Sequence, residues 1–251
     1  MKADGAGDTR SYGVTQLTLP FRNTWGGARA NAGRKPNPRT NVPHRARPAQ
    51  RASEPVHVTL RARIAPLRSQ FVFPTVRLAL IRATRRDPDR FRIVHYSVQR
   101  DHLHLIVEAV DKGALSQGMR GLAIRIARYV NELLSRRGPL WADRWHGRAL
   151  TSPREVRNAL VYVLANFRKH ARRAPRLGLD PYSSAASFDG WRDWSPSSGA
   201  PPPFAEPEGW RSEASSRGGM VTELGFAPRT WLMRVGWRRY AALSLSEAPR
   251  N

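Results

Sequence analysis

The stretch Asp101-His102-Leu103-His104-Leu105-Ile106-Val107-Glu108 alternates two chemistries at a period of two. In an extended strand that period sends Leu103, Leu105 and Val107 to one face and His102, His104, Ile106 and Glu108 to the other. One face has the makings of an apolar core, and the other sets two imidazoles side by side. Residues 91–99 are equally rich in β-formers, and Arg100-Asp101 between the two runs indicates a tight hairpin.

Upstream, Val56-His57-Val58-Thr59-Leu60 alternates as a half-buried strand, and residues 75–85 carry Val76, Leu80 and Ile81 at helical spacing until Asp87-Pro88 stops them. Downstream, Leu115, Met119, Leu122, Ile126, Val130 and Leu133 repeat as a long helix that ends before Gly138-Pro139. Residues 144–150 form a short edge strand, and Ser152-Pro153-Arg154-Glu155 opens a further helix with Ser152 as N-cap and Pro153 in its first position. The order βαββαβ plus one helix predicts an α+β fold. It is a ferredoxin-like split βαβ sandwich, an antiparallel sheet with helices on one face, plus an extra C-terminal helix carrying Tyr162.

Composition limits the function. The chain has 251 residues, a net charge of +24 from 43 Lys and Arg against 19 Asp and Glu, and no cysteine. Disulfide scaffolds and cysteine-based zinc sites are excluded. No apolar run approaches the roughly eighteen residues of a membrane span, since residues 71–81 are interrupted by Pro74 and Arg77. The first ten residues lack the apolar stretch of a secretory signal, so the expected setting is cytoplasmic, nucleoid-associated and without a membrane partner. A charge this positive predicts a polyanionic partner, nucleic acid first, because each neutralised phosphate releases counterions.

The charge is unevenly placed: 9 basic against 2 acidic side chains in residues 1–50, 25 against 9 in 51–173, and 9 against 8 in 174–251. Residues 1–50, with Gly, Pro and Asn punctuation and Gly33-Arg34-Lys35-Pro36, read as a disordered basic arm in which Arg34 and Lys35 contact DNA. Residues 51–173 form the ordered main domain, 174–194 an extension, 195–219 a Pro/Ser/Gly-rich linker, and 220–251 a small C-terminal segment.

Two imidazoles at i and i+2 can share one divalent metal if a further ligand arrives from elsewhere, or they can be two ordinary histidines. On the later helix, Leu160, Val163, Leu164 and Phe167 make a broad apolar side, with Tyr162, Asn166 and Lys169 at its polar border. Arg61, Arg120, Arg125, Arg144, Arg148 and Lys169 are candidate phosphate contacts, and His57 is a candidate DNA contact on the first strand. Tyr129, Trp141 and Trp145 are candidates either for base stacking or for the core.

Taken in order, Asp101-His102-Leu103-His104 followed by Tyr162-Val163-Leu164-Ala165-Asn166 resembles the HUH single-tyrosine transposases, and within them the REP-associated tyrosine transposases. The resemblance spans about residues 55–173. It implies metal-dependent cleavage and strand transfer of single-stranded or hairpin DNA through a 5′-phosphotyrosine, with Tyr162 as nucleophile and His102, His104 and Asn166 as ligands to Mg²⁺ or Mn²⁺. Asp101 stands where an Asn is usual, and Phe167-Arg168-Lys169 stands where many relatives have Asn-Pro. The same fold could also serve a non-catalytic, domesticated DNA-binding protein. Oligomeric state, monomer or homodimer, is left open.

Overall fold

Valine, isoleucine and aromatic residues dominate residues 91–98, and apolar side chains alternate with histidines at the start of 102–109, so both runs favour the pleated backbone and pair through a short connection. The computed structural model describes residues 50–64, 66–170, 178–200, 203 and 227–249, excluding the side chains of residues 169 and 170. Strands β1 (Val56–Arg61), β2 (Phe91–Val98), β3 (His102–Ala109) and β4 (His146–Ala149) form one sheet in the order β2-β3-β1-β4. Every neighbouring pair is antiparallel. With helices α1 (Phe73–Arg86) after β1 and α2 (Lys112–Leu133) after β3, this is a mixed α+β arrangement consistent with a ferredoxin-like fold. Arg34 and Lys35 lie outside the described residues.

The helices end where local chemistry dictates. Pro74 sits in the first turn of α1, and Pro88 keeps Asp87 out of the helical conformation, which closes it. The Asp111 carboxylate accepts the Ala114 amide at 2.7 Å and starts α2. Helix α3 (Pro153–Leu164) begins at Ser152, whose side chain accepts the Glu155 amide at 3.3 Å.

Val56, Val58 and Leu60 of β1 and Leu103, Leu105 and Val107 of β3 face α1 and α2, and with Val76, Leu80, Met119, Leu122 and Ile126 they form one core. The opposite face is not left to solvent. There Val94 and Ile106 meet Val156, Leu160, Val163 and Leu164 of α3, and that cluster extends to Phe188, Met233 and Trp237. Helices therefore cover both faces, because α3 is apolar on two sides and is packed between the sheet and the later chain.

That later chain is held by polar anchors. Arg68 grips the buried Asp180 carboxylate at 2.7 and 2.9 Å, and Tyr182 to Ser184 pair with the outer edge of β2. The Glu108 carboxylate, 5% exposed, accepts the Thr230 amide at 2.9 Å and hydroxyl at 2.8 Å and the Arg229 amide at 2.8 Å. It thereby sits at the start of the short helix α5 (Trp231–Arg234). No helix among the described residues is long and apolar enough to cross a membrane.

Candidate active site

The β-ladder aligns the polar side chains of the α3-facing surface in rows. Across the sheet, His146 of β4 lies opposite Thr59 of β1, which lies opposite His104 of β3. One row along, Arg148 faces His57, and His57 faces Ile106. Arg61 faces His102 at the end of the same strands. Antiparallel partners share a face, so residues distant in sequence converge on one surface.

Helix α3 lays Tyr162 on this surface. Its ring packs edge-on against His104, with centroids 4.9 Å apart, and against His57 at 5.4 Å. His104 in turn lies 4.7 Å from His102 and 5.4 Å from His57. The tyrosine and the two histidines singled out in the sequence are thus one contiguous group of rings, with His57 as a fourth member. Half-buried beside Tyr162, His57 is pushed down to a pKa of about 4, first by desolvation and then by His146 and Arg148. It is therefore neutral at physiological pH. Its place in the ring cluster is that of a packing partner for Tyr162 and His104.

Both histidines of β3 are oriented through Nδ1. The Asp101 carboxylate accepts from His102 Nδ1 at 2.7 Å, and Arg61 lies 3.5 Å from the same carboxylate. The hydrogen bond from His102, more than the nearby Arg61, holds the Asp101 carboxyl below its usual range. Thr59 Oγ1 is 3.2 Å from His104 Nδ1. Because a carboxylate only accepts, His102 carries a proton on Nδ1 and, when neutral, its lone pair on Nε2, the arrangement that outer partners impose on metal-binding histidines. The unusual Asp101 is thus a partner that orients His102.

Asn166 differs from its sequence reading. Helix α3 ends at Leu164, with Ala165 as its C-cap, so Asn166 lies in the turn before α4 (Phe167–His170) and not one helical turn beyond Tyr162. The amide is fully buried, 0% exposed, and neither its oxygen nor its nitrogen has a hydrogen-bond partner. An orphaned buried amide costs about 1–3 kcal/mol. A ligand for its carbonyl oxygen would relieve part of that penalty. Among the described residues no three His, Cys, Asp or Glu side chains converge on one ion position.

The remaining sequence candidates divide. Arg148, exposed beside His57 in register and paired with Glu155, and Arg61 border the histidine face. Arg144 is exposed in the loop just before β4, next to Asp143. Arg120 and Arg125 project from α2, on the far side of the sheet, and are not brought to the tyrosine. The Lys169 side chain is outside the described residues. Trp141 and Trp145 are not stacking surfaces: Trp145 is 8% exposed in the first core, and Trp141 packs against that core and donates to the Ala123 carbonyl at 2.9 Å. Tyr129 likewise packs against it and accepts a hydrogen bond from Arg82.

His146 carried no role in the sequence reading because a single histidine in an aromatic stretch has no spacing partner. Its place on this face follows only from the β1/β4 register. Known proteins offer limited comparison. No family model matches the chain, and no curated protein matches it. Among solved structures there is a distant, partial match to a REP-associated tyrosine transposase bound to a REP hairpin, at 17% identity and a TM-score of 0.43, over 75% of this chain and 93% of that one.

Proposed function

We propose that this protein is a metal-dependent DNA strand transferase that cuts and rejoins single-stranded or hairpin DNA with Tyr162. The observation that carries the reading is the contact of the Tyr162 ring with His104, at 4.9 Å, on a strand where His102 stands 4.7 Å beyond. His104 and Tyr162 come from separate elements, β3 and α3, and a packing tyrosine has no need of a pair of oriented imidazoles. The basic excess of residues 51–173 and the order of the two motifs support DNA as the substrate.

In this reading Tyr162 Oη attacks the scissile phosphorus. The Oη–P bond forms as the P–O3′ bond breaks, the phenolic proton leaves to solvent, and the departing 3′-oxygen takes up a proton to become a free hydroxyl. The 5′-phosphate stays on Tyr162, which conserves the phosphodiester energy for rejoining to another 3′-hydroxyl. His102, His104 and the Asn166 carbonyl oxygen would hold Mg²⁺ or Mn²⁺, which when bound offsets charge on the phosphate oxygens. Asp101 and Thr59 fix the two rings, His57 packs beside the phenol, and Arg61 and Arg148 place positive charge at the rim.

The test is a denaturing gel of the protein incubated with end-labelled, hairpin-flanked single-stranded DNA and either metal. A slow-migrating covalent species is expected with the parent chain and is absent with Tyr162→Phe. Binding without any adduct, across several oligonucleotides and both metals, would overturn the catalytic reading in favour of a DNA-binding protein on the same fold.

A further inference from the structure

Between α3 and residues 240–249 runs an open groove of about 710 Å³ whose lining includes Arg154, Asn158, Tyr162 and Tyr240. The phenol proposed as nucleophile and an aromatic from the C-terminal segment therefore border one channel. Its outer wall is clamped in place. Arg157 donates to both carboxylate oxygens of Glu247, at 2.8 and 2.9 Å, and to the Ala241 carbonyl at 2.8 Å. Pairing with Arg157 neutralises the acidic side chain of that wall, while Arg154 adds a positive charge to the groove.

The segment that carries Tyr240 combines a fixed base with an open aromatic surface. Trp237 is 1% exposed, donates to the Met233 carbonyl at 2.9 Å and packs in the cluster beneath α3. Glu108 anchors the start of the same segment at Thr230. Yet Tyr240 and Trp231 are 41% and 48% exposed. The Trp231 ring rests over Gly236, where an added Cβ would fall 2.8 Å from ring carbons, and the Arg239 guanidinium lies 4.8 Å above it. Residues 231–240 contain Arg234, Arg238 and Arg239 and no acidic residue, with Arg238 paired to Asp189 at 3.0 Å. This local excess is invisible in the near-neutral count for residues 174–251.

An exposed ring on a rigid base, a basic side chain across from it and a channel leading to the tyrosine suit one occupant. We infer that the C-terminal segment around Tyr240 is the platform on which single-stranded DNA stacks as it enters the Tyr162 groove. A base stacks on the Tyr240 ring without regard to sequence, and Arg154 meets the phosphate beside it. The inference rests on the reading that Tyr162 faces DNA, but it concerns binding and not the covalent step.

The test measures binding of a fluorescent, unstructured oligothymidine to the full chain carrying Tyr162→Phe, so that covalent capture contributes nothing. Added Tyr240→Ala is expected to weaken binding roughly tenfold, while Tyr240→Phe, which keeps the ring, retains it. Photocrosslinking of an iodouracil-substituted strand to the parent chain, mapped by mass spectrometry, is expected to mark residue 240. An alanine variant that melts as the parent does and binds within twofold of it would overturn the platform. If an alanine variant is destabilised, the crosslink decides: adducts confined to other residues overturn the platform. Retained binding in the variants together with a phosphotyrosine adduct in the parent chain removes the platform and leaves the strand-transfer reading intact. Lost binding with no adduct in the parent chain does the reverse.

Discussion

Two faces of one sheet, built from alternate residues of the same strands, have been put to different uses. Toward α1 and α2, β3 presents Leu103, Leu105 and Val107, each fully buried, to a core dominated by apolar side chains. Toward α3 it presents His102, His104, Ile106 and Glu108. His57, His95, His102, His104 and His146, five of the chain's seven histidines, project from that second face. The first face stabilises by burying hydrocarbon. The second buries imidazoles, a carboxylate and an amide, each of which loses hydration and must recover it through partners. Concentrating the unfavourable burial on one surface is what a site needs and what a core avoids.

The contrast can be broken most forcefully from the apolar side. Leu105→Ala should lower the unfolding free energy by about 2–5 kcal/mol in chemical denaturation, as a cavity in the first core. The yield of covalent adduct per folded molecule should hold, and a specific loss of adduct would mean that the two faces are not separable.

The next effect is pH dependence confined to the histidine face. His95 is fully buried, its Nδ1 3.2 Å from Ser184 Oγ, and desolvation pushes its pKa down to about 4 against the opposing pull of Asp189. The unfolded chain takes up this proton near pH 6.5 and the folded chain resists until about 4, so stability falls as pH drops through that window. The contribution is about 3 kcal/mol, and His95→Gln should flatten the slope between pH 6.5 and 4. Glu155, held down to about 2 chiefly by the Thr151 amide, loses its contribution only below its ordinary 4.5. The two effects therefore occupy different windows. An unaltered slope in the variant would assign the pH dependence elsewhere.

Smaller still is the contribution of the partner that orients His102. Asp101→Ala should weaken Mn²⁺ binding by roughly 10- to 100-fold in calorimetry while the melting temperature moves little, since Asp101 is a third exposed. Unchanged affinity would remove Asp101 from any role at the site. The least change in stability is expected at Asn166. Replacing an orphaned amide with a similar apolar shape is near neutral or stabilising, so Asn166→Leu should leave the metal-free protein within about 1 kcal/mol of the parent and abolish the gain in melting temperature on adding Mn²⁺. A loss of several kcal/mol would show that the amide has a structural partner and would take it out of the ligand set.

Much of this architecture was legible because short-range periodicity governs it. The alternation in residues 56–60 and 102–109 gave the strands, Ser152-Pro153 marked the start of α3, and the βαββαβ order pointed to the sheet. Burial of the second face was not legible, since it needs α3 and residues 178–188 and 227–245 to fold over His104 and Glu108 from far along the chain. The same limit explains Trp141 and Trp145: an aromatic residue reads alike whether it meets a base or a core. The helical spacing of Tyr162 and Asn166 suggested one face, but α3 stops between them.

By itself, the sequence determined the strand and helix order, the two histidines on one side of β3, and the basic charge of residues 51–173, because these depend on residues within a few positions of one another or on simple sums. Only the tertiary structure decided that Tyr162 touches His104, that His57 completes the ring cluster, that Asn166 is buried without a partner, and that Tyr240 borders the groove at Tyr162. Each of these rests on packing between elements tens of residues apart, where register and burial choose the neighbours and local pattern has no say.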